Sequence, residues 1–88
     1  MGLESIEFIV DLEKAFGLSI PDGDVAWRTG RELVNYLCRR IPEVDPGFGT
    51  PSARWGRTDV ERIVEGLLAK NGRRTDVTLD TEIRSVFR

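Results

Sequence analysis

The sequence contains no histidine and a single cysteine, Cys38. Without histidine the commonest general base and the commonest metal ligand are missing, so Ser-His and Cys-His nucleophilic sites are excluded. One cysteine excludes an internal disulfide framework and any multi-cysteine zinc site. A small buried thiol is the expected role of Cys38, ahead of a reactive one. No apolar run approaches the ~18 residues of a membrane span. The N-terminus lacks the basic and then apolar regions of a secretory signal. Met1-Gly2 begins like a myristoylation site, but that motif requires Ser or Thr at the position held by Ile6. These absences lead us to expect a cytoplasmic protein that is not an enzyme and does not engage membranes.

What is present fits one small domain, residues 1–88, with 40% apolar and 32% charged residues. The net charge of −2 hides an asymmetry. Residues 1–27 carry Glu4, Glu7, Asp11, Glu13, Asp22 and Asp24 against Lys14 alone; residues 28–88 carry twelve basic against nine acidic residues. An acidic first third suits a partner with a basic docking surface, or is simply a solvated face. Nucleic acid is not an expected partner, because no basic-aromatic stripe accompanies the arginines.

Three helices are expected. The first runs from Ser5 to about Phe16, with Ile6, Ile9, Val10 and Phe16 at helical spacing and Phe8 and Leu12 widening the stripe. Ser5 is placed as N-cap, Glu7 complements the dipole in the first turn, and Gly17 ends the helix. Glu4, Glu7 and Asp11, at i, i+3 and i+7, are expected to form one acidic ridge. A short turn is expected around Asp24 to Trp27. Thr29-Gly30-Arg31-Glu32 reads as a capping box opening a second helix, with Leu33, Val34, Tyr36, Leu37 and Ile41 inward. Residues 42–56, rich in proline and glycine, read as a connecting loop anchored by Trp55. Thr58-Asp59-Val60-Glu61 reads as another capping box. It opens the clearest amphipathic helix, Val60, Ile63, Val64, Leu67 and Leu68, which is expected to end at Lys70-Asn71-Gly72. In the tail, Ile83 and Phe87 are spaced to dock one short turn. The fold class is all-α.

Residues 2–41 resemble the second half of acyl carrier proteins. Gly2-Leu3-Glu4-Ser5-Ile6 stands for the attachment motif Gly-x-Asp-Ser-Leu, Leu18-Ser19-Ile20-Pro21-Asp22 for Ile-x-Ile-Pro-Asp, and Thr29 to Leu37 for the last family helix. The first half resembles the other end of this chain. Val60 to Leu68 is similar to the family's first helix, and Asp76-Val77-Thr78-Leu79-Asp80-Thr81-Glu82-Ile83 to the loop before the serine. The resemblance implies an acyl-carrier-like bundle of three or four helices, circularly permuted. Residues 1–41 would run from the serine helix to the last helix, and residues 57–88 would supply the first helix and loop. A fragment of two tandem carrier domains, or a dimer exchanging helices, are the alternatives to a permuted monomer.

The resemblance implies a 4′-phosphopantetheine arm on Ser5, with acyl groups held as thioesters on its terminal thiol. Glu4 would stand for the motif's acid, which helps position the metal of the modifying transferase. Expected partners are a phosphopantetheinyl transferase and acyl-activating or condensing enzymes, which would dock on Glu7 and Asp11. An unmodified, carrier-like interaction module using the acidic helix is the alternative function.

Overall fold

The computed structural model describes residues 3–48, 50, 56–73 and 75–86, with the backbone alone for residues 3–5 and 22. Four helices follow in order: α1 (Leu3–Phe16), α2 (Gly30–Arg40), α3 (Arg57–Gly72) and the one-turn α4 (Ile83–Val86). Short 3₁₀ turns occupy Asp22–Asp24 and Ile41–Glu43. No strand occurs among the described residues, only an isolated antiparallel bridge between Thr29 and Glu82. The all-α class is therefore correct. Trp55 and Phe87, expected to anchor the long loop and the tail, lie outside the described residues.

Helix α1 is apolar around most of its circumference, and the structure selects a different face from the expected one. Phe8, Leu12 and Phe16 are buried, whereas Ile6 and Val10 are exposed at 51% and 38%. Residues four apart fall on one side of a helix, so Phe8, Leu12 and Phe16 make a continuous stripe carrying the two largest side chains. The backbone is helical from Leu3, which places Ser5 inside the first turn instead of at the cap. Gly17 ends the helix as expected, at φ 68°, a conformation that costs glycine little. Its N–H donates to the Glu13 carbonyl at 2.8 Å. The Glu13 carboxylate accepts from the Ile20 N–H at 2.8 Å, folding residues 18–20 back so that Leu18 and Ile20 enter the core.

Thr29 caps α2, its hydroxyl accepting from the Glu32 N–H at 3.3 Å. Leu33, Val34, Leu37 and Ile41 are buried and Tyr36 is half-buried. The start of α3 differs from the Thr58 box. Gly56 is the N-cap, and its N–H donates to the Asp59 carboxylate at 2.8 Å. Glycine has no side chain to close the reciprocal bond, so Asp59 caps alone. Val60, Val64 and Leu68 form the buried stripe, flanked by Ile63 and Leu67.

The other end of α3 falls at Gly72, as expected. Gly72 belongs to the helix, and Arg73 takes the left-handed position at φ 54°. Glycine is required at 72 for close approach, because a Cβ there would collide with the Val86 side chain. That notch seats α4, whose Val86 is buried. Between α3 and α4, Thr78 and Thr81 close a tight turn: the Thr78 N–H donates to the Thr81 hydroxyl at 3.1 Å, and the Asp80 N–H to the Thr78 hydroxyl at 3.3 Å. This turn sends Val77 and Leu79 into the core. Backbone bonds from Arg31 N–H to Leu79 O (2.9 Å) and from Ile83 N–H to Arg28 O (2.8 Å) fix it to the start of α2.

Helix α3 packs against both α1 and α2. Gly30 abuts Leu68, while Arg57 at the other end reaches Asn35 and Cys38, so α2 and α3 are antiparallel. The exit of α1 lies beside the end of α2, where Arg40 Nη2 donates to the Ser19 carbonyl at 2.9 Å. Asp11 meets Lys70 and Asn71, so α1 also runs opposite to α3.

Candidate functional site

The sequence places its candidate site along α1: Glu4, Ser5, Glu7 and Asp11. Ser5 and Asp11 are six positions apart, about 9 Å of helix at the α-helical rise of ~1.5 Å per residue. Because α1 and α3 are antiparallel and Asp11 already meets the last turn of α3, the turn holding Ser5 projects beyond that end of α3. Amide N–H groups in the first four positions of a helix lack intrahelical acceptors, and the dipole adds positive potential there. The Glu4 and Ser5 side chains lie outside the described residues.

Downstream, the expected acidic ridge divides. Glu7 is exposed. Asp11 is turned toward α3: its Oδ2 accepts from Asn71 Nδ2 at 3.1 Å and lies 3.8 Å from Lys70 Nζ, with 27% of the side chain exposed. Asn71, the one buried polar side chain among the described residues, also donates to the Leu67 carbonyl at 3.0 Å. Spacing of i, i+3, i+7 placed the three acids on one side of α1, but the burial of Phe8 and Leu12 rotates that side so that Asp11 meets its neighbour helix. The exposed surface beside Ser5 is therefore Ile6, Glu7 and Val10.

A second cluster has no counterpart in the sequence reading. Trp27 and Tyr36 meet with ring centroids 5.3 Å apart and planes tilted by 52°. The Tyr36 hydroxyl donates to Asp24 Oδ2 at 2.7 Å, and Arg40 contacts both that hydroxyl and Asp24 while its guanidinium lies 5.6 Å from the tyrosine ring centre. Arg40 Nε also donates to Glu43 at 2.7 Å. Partial burial pushes the Tyr36 hydroxyl above its ordinary pKa, and its bond to Asp24 pushes the same way. Beside these rings is an open cavity of about 360 Å³, lined by Asp24, Ala26, Trp27, Glu32, Asn35, Tyr36 and Arg39. The signal available in sequence was an aromatic pair bracketing a capping threonine, which periodicity does not weigh because Trp27 stands in a loop.

Cys38 is half-buried, more open than expected. Burial raises its thiol pKa, partly offset by Arg57, whose Nη1 is 3.9 Å from the sulfur. Among the described residues no group of three or more Cys, Asp or Glu side chains is arranged to hold a metal ion. No described helix is long and apolar enough to cross a membrane. No protein-family model matches the chain, and neither a curated protein nor a solved structure matches it significantly.

Proposed function

We propose that this protein is an acyl-carrier-like bundle that bears 4′-phosphopantetheine on Ser5 and carries acyl groups as thioesters. The observation that supports it most is the position of Ser5 in the projecting first turn of α1, within a bundle that α3 and the Thr78–Thr81 turn complete from the C-terminal side. The free N–H groups of that turn suit a phosphodiester. Ile6 and Val10 offer an exposed apolar surface for the arm or for a docking enzyme, and Glu7 offers a charge to steer it. The arm supplies a thiol for acyl transfer; the protein's own task is attachment and presentation. In the modification step the Ser5 hydroxyl attacks the β-phosphorus of coenzyme A, loses its proton and releases 3′,5′-ADP. Glu4 would help hold the transferase's metal during that step.

Incubation with coenzyme A and a broad-specificity phosphopantetheinyl transferase is expected to add one phosphopantetheine mass to the wild type and none to Ser5→Ala. Wild-type protein left bare by several transferases would sink the reading.

One observation favours a second reading, an unmodified interaction module: Ser5 lies inside α1 instead of at its cap. In that case Ile6, Glu7 and Val10 meet the partner directly. Binding to that partner would survive Ser5→Ala but weaken with Glu7→Lys and with Ile6→Ala.

A further inference from the structure

The cavity beside Trp27 and Tyr36 lies on the outward side of α2, at residues other than those assigned to the carrier reading. Its volume, about 360 Å³, falls in the range of small-ligand sites. The side chains of two of its charged residues, Glu32 and Arg39, have no hydrogen bond or ion pair among the described residues, whereas that of Asp24 is held by Tyr36 and Arg40. Glu32 and Arg39 are seven apart on α2, hence on one side of it and about 10 Å apart along the axis. Between them stands Asn35, whose Oδ1 accepts from Arg57 at 2.5 Å, leaving both amide hydrogens of Nδ2 to donate. Trp27 also lines the cavity, and its buried indole Nε1–H has no acceptor among the described residues. A buried donor left unpaired is costly and uncommon.

From these features we infer that the cavity binds a short zwitterionic peptide of about three residues. Its ammonium would pair with Glu32 and its carboxylate with Arg39. Its peptide carbonyls would accept from Asn35 Nδ2 and Trp27 Nε1, and its side chains would lie against the Trp27 and Tyr36 rings. An extended chain advances ~3.3–3.6 Å per residue, so three residues match the roughly 10 Å that separates Glu32 and Arg39 along the helix axis.

Trialanine is the test ligand, titrated into uniformly ¹⁵N-labelled full-length protein and followed by the two indole N–H resonances, with Trp27→Phe identifying the Trp27 signal. The expected result is a saturable downfield shift of the Trp27 indole at millimolar peptide, with the other indole unmoved. N-acetyl-trialanine and trialanine amide should each bind at least tenfold more weakly, as should the parent peptide to Glu32→Gln and Arg39→Gln. A Trp27 signal that does not move, a shift that does not saturate, or equal binding of the blocked peptides overturns the proposal. Because Glu32 and Arg39 are exposed, their variants should stay folded, which the dispersion of the same spectra verifies.

Discussion

At the scale of the residue, Gly72 and Arg73 exchange the roles that a helix end normally assigns. The left-handed position after a helix favours glycine, yet here an arginine occupies it, because the glycine is needed one step earlier to admit Val86. Two opposite outcomes follow, both readable from urea denaturation midpoints. Arg73→Gly should stabilise by roughly 1 kcal/mol, the strain of a non-glycine residue in that conformation. Gly72→Ala should destabilise by roughly 1–3 kcal/mol as the new methyl group forces Val86 out of its seat, despite alanine's better helix propensity. Cys38 gives a chemical readout at the same scale. Its raised pKa predicts slower alkylation by iodoacetamide at mildly alkaline pH than free cysteine shows. Arg57→Gln should slow it further by removing the nearby positive charge.

At the scale of the element, caps and ion pairs decide boundaries. Asp59→Ala should cost about 1 kcal/mol through loss of the Gly56 cap, while Thr58→Ala should change little. The reverse order would restore the Thr58 box. Arg31 and Asp80 tie the 78–81 turn to α2, with Nε and Oδ1 2.9 Å apart, and the hydrogen bond with its charge attraction lowers the Asp80 pKa. A carboxylate with a lowered folded-state pKa contributes stability above its unfolded pKa and loses that contribution as pH falls through the folded value. Arg31→Gln should thus lower the urea midpoint slightly at neutral pH, and the difference from wild type should vanish at acid pH. Both groups are exposed, so the effect is small.

The elements themselves were largely legible. Val60, Val64 and Leu68 announced α3, Thr29 announced α2, and Gly17 marked the end of α1. The inward face of α1 was not legible, because Ile6, Phe8, Ile9, Val10 and Leu12 cover a wider arc than the helix buries; only packing against α3 selects Phe8 and Leu12. Residues joined across long sequence separations were equally invisible, notably Asp11 with Asn71, Arg31 with Asp80 and the seat of Val86 on Gly72. Of the candidate site, sequence spacing identified exposed Glu7 but not the diversion of Asp11, which depends on that same rotation of α1.

At the scale of the whole molecule, one core joins Phe8, Leu12 and Phe16 of α1, Leu33 and Leu37 of α2, and Val64 and Leu68 of α3 with Val77, Leu79 and Val86 beyond it. Leu68→Ala should therefore destabilise the entire bundle by about 2–5 kcal/mol in a single cooperative transition. Fluorescence and far-UV circular dichroism, monitored together during denaturation, should trace the same curve. Helix α3 has a further consequence in time. It follows α1 and α2 in the chain yet packs against both, so a ribosome delivers these two helices before the surface that shelters them exists. During that interval Phe8, Leu12, Leu33 and Leu37 are open to chaperones and to neighbouring nascent chains, and the native core closes only after residues 57–86 have been synthesised.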